Sequence, residues 1–247
     1  MITRRSLLVT GGAGLLAGCD AVGRSPAAKS ILTVADDAHR FLQRSIGGRT
    51  ALAREFRADQ MSPKFRVNGN AIADTPEYAA HVASKFANWR LVVDGLVAHP
   101  LSLSLAQLQS MPQRAQITRH DCVEGWSAIG KWQGPQLGGL LKLAGLRDAA
   151  KYIVFHCADG SGGVNYYESI DLVDAFHPQT ILAWAMNDQR LEIGHGAPVR
   201  LRVERQLGYK QAKFVMRIEA VESLAAIGQG KGGFWEDRSG YEWYAGI

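Results

Sequence analysis

Two rhythms of apolar and polar residues run along this 247-residue chain, and their order predicts its elements. Between Ala35 and Phe56, apolar residues recur at Ala38, Phe41, Leu42, Ile46, Leu52 and Phe56, a helical spacing that Gly47-Gly48 splits into two pieces. Lys64-Phe65-Arg66-Val67 alternates like a short strand and runs into the turn signal Asn68-Gly69-Asn70. Thr75-Pro76 predicts a helix through Phe86, with proline at its first position and Glu77 near its positive end. Arg90 to Val97 reads as a strand. Ser104-Leu105-Ala106-Gln107 is a capping box, so a short helix follows and Pro112 stops it.

The second half alternates more densely. Gln113 to Thr118 is strand-like, Leu137 to Leu146 a Gly/Leu-rich helix, and Lys151 to Cys157 a strongly apolar strand before the loop Ala158 to Gly163. Asp171 to Ala175 starts a short helix closed by His177-Pro178, and Ile181 to Met186 is a buried-type strand followed by the turn Asn187-Asp188. Val199 to Glu204 and Lys213 to Val221 alternate as strands. The tail from Gly228 is rich in glycine and aromatics (Phe234, Trp235, Tyr241, Trp243, Tyr244), which predicts that it packs back onto the body. Helices and strands follow in irregular order, so the fold class is α+β rather than a repeated βαβ winding.

Composition narrows the function classes. Apolar and charged fractions of 47% and 21% are those of an ordinary globular protein. The formal charge is +5, and no dense Lys/Arg run interleaved with aromatics occurs, so nucleic acid is excluded as the expected partner. No segment reaches the roughly 18 apolar residues of a membrane span.

The amino terminus reads as an address. Thr3-Arg4-Arg5-Ser6-Leu7-Leu8 and a short apolar run resemble a twin-arginine export signal over residues 1–18, although Leu7 stands where phenylalanine is commonest. Leu16-Ala17-Gly18-Cys19 resembles a lipobox, so Cys19 is the expected lipidation site, residues 19–34 a tether, and 35–247 the domain. The expected location is the bacterial periplasm, on the inner membrane through that lipid. Twin-arginine export carries folded proteins, which suits a protein that receives its cofactor in the cytoplasm. Of three cysteines one goes to lipid, and Cys157 has no pairing partner, so no disulfide framework is implied.

One stretch concentrates chemistry: Arg119-His120-Asp121-Cys122-Val123-Glu124-Gly125-Trp126-Ser127 places a thiol, an imidazole, carboxylates and an indole directly after a strand. On residue type alone Cys122 is either a small buried hydrophobe or a reactive or ligating sulfur. The stretch resembles the metal-binding loop of the sulfite-oxidase-type molybdenum proteins, in the bacterial branch that includes the periplasmic methionine-sulfoxide reductase subunit. Leu191 to Leu201 and Gly208-Tyr209-Lys210-Gln211-Ala212-Lys213 resemble the same family in the same order, so the likeness covers about Pro63 to Glu222.

That resemblance implies one molybdopterin-binding domain with mixed sheets and short helices. It implies a molybdenum held by two pterin sulfurs and one protein thiolate, which Cys122 matches; a soft sulfur suits the metal. It further implies cofactor contacts at Asn68, Cys157, His195, Arg200, Gln211, Ala212 and Lys213, the last three on a phosphate loop. His195 stands where the reductase branch has asparagine, and Cys157 where it has threonine. Arg119 and His120 are candidates to offset cofactor charge. Neither the dimerisation domain of sulfite oxidases nor a haem is expected in this chain.

The activity so implied is oxygen-atom transfer on a small substrate. Sulfite oxidases carry arginines after their cysteine, whereas Val, Glu, Gly, Trp and Ser follow Cys122, and a carboxylate at Glu124 repels a dianion. Reduction of S- or N-oxides is therefore favoured over sulfite oxidation, with electrons exchanged with a cytochrome such as a membrane b-type haem protein. Two rivals stand beside this reading: a metal-free thiol enzyme using Cys122 with His120 or His195, and a pterin-binding lipoprotein without turnover.

Overall fold

The computed structural model describes residues 50–247 together with 38, 40–45 and 48. The export signal, Cys19 and the tether lie outside the described residues. Residues 40–45 are helical. The compact body runs from Arg49 to Ile247. The second predicted helical piece, Leu52 to Phe56, is extended instead, because Glu55 bridges Thr118 antiparallel and Phe56 N donates to Ile117 O at 2.8 Å. Among the described residues no helix is long and apolar enough to cross a membrane.

Three sheets make the body. The largest has five strands in the order β2-β1-β11-β5-β6, where β1 is Arg90–Gly95, β2 Leu101–Ser104, β5 Tyr152–Ser161, β6 Val164–Asp171 and β11 Val215–Val221. Only the β1–β11 pair in it is parallel, with Val92 opposite Arg217. The second sheet has four strands, β3 (Gln113–Cys122), β4 (Trp126–Pro135), β8 (Ala185–Met186) and β9 (Gln189–Arg190). The third pairs β7 (Ile181–Ala183) with β10 (Arg200–Arg202). The predicted strand Ile181 to Met186 thus divides at Trp184 between two sheets. Asn187 and Asp188 make their turn with φ of 49° and 63°.

The helices are short. α1 (Pro76–Ala83) starts at Thr75, whose hydroxyl accepts from Tyr78 N, and ends before Phe86 because Lys85 and Phe86 take φ of 51° and 62°. α2 (Leu105–Ser110) has the reciprocal capping box read from Ser104 and Gln107. α3 (Leu137–Ala144) buries Leu137, Leu140, Leu141 and Ala144, one face at helical spacing, into the core beneath the five-stranded sheet. α4 (Leu172–Ala175) is capped by Asp171, and α5 (Phe234–Ser239) lies in the tail. Burying Trp89, Leu91, Phe155, Ile218 and their neighbours supplies roughly 25 cal/mol per Å² of apolar surface removed from water.

Lys64 to Val67 is not a strand; it is irregular, and Phe65 is held by rings rather than by a ladder. The loop expected after Thr118 is strand as far as Cys122, and the hairpin partner β4 was not foreseen.

Candidate active site

The β3–β4 hairpin presents Cys122 at its tip. Cys122 is the last residue of β3, opposite Trp126, and Gly125 N donates back to Cys122 O at 3.0 Å. Alternation along β3 buries Gln116, Thr118 and His120, and Cys122 continues that face half-buried. Arg119 and Asp121 point the other way and satisfy each other, Arg119 Nε donating to Asp121 Oδ2 at 2.9 Å. Arg119 therefore does not offset charge at the thiol. His120 is fully buried, and its Nδ1 accepts from Arg202 at 3.1 Å.

The irregular segment around Phe65 covers the hairpin. Its ring lies 5.7 Å from His120, 5.9 Å from Trp126, 5.3 Å from Trp132 and 5.8 Å from His195, an aromatic contact set across three chain regions. Beyond it Gly69 N donates to Glu124 Oε1 at 3.1 Å, and Asn70 Nδ2 donates to Asp159 Oδ2 at 3.0 Å. Trp126 Nε1 donates to Glu124 Oε2 at 3.0 Å, and that bond holds the Glu124 carboxyl below its usual range.

A cationic floor completes the site. Arg200 and Arg202, both with no exposed surface, place their guanidinium carbons 5.1 and 4.2 Å from the Trp132 ring. Arg202 is paired with Glu204, whereas Arg200 donates only to the carbonyls of His195 (3.2 Å) and Gln211 (3.3 Å). Burial and the charge of Arg202 push the Arg200 guanidinium down to about 9. Lys213 Nζ donates to Asn70 O at 2.5 Å and Gly194 O at 2.7 Å. Burial and the charge of Arg200 push its ammonium down to about 7. Cations depressed in this way are short of an anion.

Between these walls lies a cleft of about 370 Å³ lined by Asn68, Cys122, Glu124, Asp159, Gln211 and Lys213 among others, with Ala212 beside them. Around it four buried polar atoms have no partner, Asn68 Oδ1, Asp159 Oδ1, His195 Nδ1 and Arg200 Nε, while the His120 ring and the Gln211 side chain face each other. Native interiors rarely leave such groups unmet, so their gathering marks a ligand with hydrogen-bonding edges and an anionic end. A phosphate-bearing pterin beside a thiolate-bound metal fits this donor set. A larger, more open depression of about 670 Å³ beside His156 and Glu219 has no unpartnered buried atom in its lining.

Of the residues expected at the cofactor, the structure brings Asn68, Cys122, Gln211, Ala212 and Lys213 to the cleft wall, with His195 and Arg200 buried behind it. Cys157 packs in the apolar core opposite Val215 and is not among the residues lining the cleft. Asp159, Tyr166 and the tail residues Trp235 and Tyr241 line it without having been foreseen. Burial also pushes the Cys122 thiol up from its ordinary value.

A mixed-sheet α+β domain with a thiol at a hairpin tip above a buried cationic floor is compatible with the class of molybdopterin oxidoreductases. The chain belongs to the family described as oxidoreductase molybdopterin binding domain, which matches residues 78–226. It is similar to a protein of Azospira oryzae with the provisional name protein-methionine-sulfoxide reductase subunit YedZ1, at 43% identity over 65% of this chain and 56% of that protein. It is also similar to the protein-methionine-sulfoxide reductase catalytic subunit MsrP of Campylobacter jejuni, at 32% identity over 53% of this chain and 48% of that one. The chain thus spans about half the length of the curated relatives it matches. The crystal structure of the sulfane dehydrogenase SoxCD from Paracoccus pantotrophus shares the fold, with a TM-score of 0.50 at 23% identity over 55% of this chain and 39% of that chain.

Proposed function

We propose that this chain is a molybdopterin-dependent reductase of S-oxides, with methionine sulfoxide in proteins as its substrate. The observation that carries the reading is the set of unpartnered donors, acceptors and acid-shifted cations gathered around the cleft at Cys122. The names of the relatives supply the substrate class.

The roles follow from chemistry. Cys122 holds the metal as thiolate, since coordination removes the thiol proton. Asn68, His195 and Gln211 meet the hydrogen-bonding edges of the pterin. Arg200 and Lys213, with the backbone beside Ala212, hold its phosphate. Bound there, the molybdenum centre supplies the two-electron redox chemistry by which an oxygen atom passes from substrate to water. Phe65 and Trp126 exclude water from the hairpin side. Glu124, ionised and in the cleft wall, rejects anions such as sulfite and leaves neutral oxides acceptable. Asp159, whose carboxyl burial pushes up to about 6, holds a proton on Oδ1 in the same cleft under mildly acidic conditions.

The amino-terminal signals support export of the folded protein to the periplasm and lipidation at Cys19, and electrons then come from a cytochrome, a b-type haem protein of the membrane being the natural donor. Protein made with its export signal, as wild type and as Cys122→Ser, tests the reading. The expected result is near-stoichiometric molybdenum and pterin, with sulfoxide reduction by a reduced dye, in wild type only. Equal metal and turnover in the serine variant would overturn it.

A further inference from the structure

The tail builds a wall that the family match, ending at residue 226, does not reach. Phe234, Trp235 and Tyr241 line the same cleft as Cys122, Asp159 and Lys213. The rings of Trp235 and Tyr241 stack with centroids 6.0 Å apart and planes at 29°, yet remain 38% and 37% exposed. Tyr209 backs Tyr241 edge-on at 5.0 Å, and Phe234 backs Trp235 at 5.2 Å. The pair is thus a fixed, half-open apolar surface that shares its cleft with the polar groups of Asn68, Glu124, Asp159 and Lys213.

Anchors below the rings hold that surface in place. The fully buried ammonium of Lys210 donates to Glu236 Oε1 of α5 at 2.8 Å and to Glu168 of β6. Trp243 Nε1 donates to Ser169 Oγ at 2.8 Å, and Tyr209 Oη to Glu242 O at 2.5 Å. Anchored rings with one open face bind apolar groups and thioether-like sulfur well, and do little for an anion.

Resting on the function proposed above, we propose that Trp235 and Tyr241 are its specificity-determining platform. The apolar substituent next to the sulfoxide lies on the two rings, and the sulfinyl group is left to reach the Cys122 end of the cleft. Sulfoxides with a large apolar substituent are preferred over small ones for that reason.

The test uses holoprotein made with its export signal, as wild type, Trp235→Ala, Tyr241→Ala and Tyr241→Phe. Methyl p-tolyl sulfoxide and dimethyl sulfoxide are compared in steady state, and binding of methyl p-tolyl sulfone, which is not reduced, is measured by calorimetry. Each alanine variant is expected to lower the aryl-over-dimethyl ratio of kcat/KM about tenfold and to weaken the sulfone by a similar factor, with molybdenum content kept. Tyr241→Phe, which keeps the ring, keeps the ratio. An unchanged ratio with unchanged sulfone binding overturns the platform, as does an equal loss on both substrates with loss of metal. Wild type that loads molybdenum and reduces neither sulfoxide instead overturns the functional reading, and the platform's substrate with it.

Discussion

Arg202 Nη1 donates to His120 Nδ1 at 3.1 Å, and this bond decides which imidazole nitrogen carries the proton. Arginine has only donors, so Nδ1 must offer its lone pair and Nε2 must be N–H. Burial and the charges of Arg202 and Arg200 keep the ring neutral. Arg202 is itself pinned by Glu204 at 2.9 and 2.6 Å, and Glu204 accepts from Gln116 at 2.9 Å. A polar ladder thus runs inside β3 from Gln116 to His120, two residues before Cys122, and ties the hairpin to β10.

Gly208 tests that lock. A methyl group there would stand 2.6 Å from both Nε2 and Cε1 of His120. Gly208→Ala must displace a buried ring whose Nδ1 bond to Arg202 cannot follow it. The expected loss is about 1–3 kcal/mol, read as a lower urea midpoint of the cofactor-free protein. Metal retention should fall as well, since the ring sits on the strand that carries Cys122. A variant as stable and as well loaded as wild type would mean that the ring is free to move.

Lys210 carries a second expectation. It lies fully buried between Glu168 and Glu236, so one cation serves two carboxylates, and burial raises the Glu168 carboxyl well above its usual range. Where two carboxyls share one site, one of them keeps its proton. Lys210→Met strands the remaining buried charge and should cost about 3–5 kcal/mol. Glu168→Gln replaces the carboxyl whose protonated form burial favours, and should cost less, about 1 kcal/mol. Chemical denaturation of the two variants beside wild type reads the difference, and equal losses would rule out the shared proton.

The elements that local chemistry dictates were legible in sequence, and those that distant partners dictate were not. The Ser104 capping box and the α3 stripe are set by neighbours three and four residues away. β4 escaped notice because Gly130, Gly134 and Pro135 weaken its strand pattern. Gly134 is there because Leu182 O would lie 2.0 Å from any Cβ, a fact about another strand. β6 escaped because it buries Glu168 and Ser169, which are tolerable only through Lys210 and Gly232. Lys64 to Val67 has the strand rhythm with no strand to pair with. The thiol and the Gln211–Lys213 segment stood out as motifs, whereas Asp159, Trp235 and Tyr241 reach the cleft as single residues from separate elements.

Asp159 and Lys213 make the stability of the cofactor-free protein depend on pH in opposite directions. Burial raises Asp159 to about 6, so between its unfolded value, about 4, and 6 the folded form keeps a proton that the unfolded form has lost. Stability from this group is full below about pH 4 and is lost as pH rises to 6, by about 3 kcal/mol. Burial and the charge of Arg200 lower Lys213 to about 7, so above 7 the folded form has released a proton that the unfolded form holds to about 10.4. Its contribution is therefore present at high pH and lost as pH falls through 7. Together the two groups place their least favourable window between pH 6 and 7. Urea midpoints between about pH 4.5 and 9 should show Asp159→Asn flattening the acid limb and Lys213→Met the alkaline limb. Parallel curves for wild type and both variants would mean that neither group titrates as its surroundings demand. A bound phosphate returns a counter-charge to Lys213, so above pH 7 cofactor binding should take up a proton, measurable in weakly buffered solution.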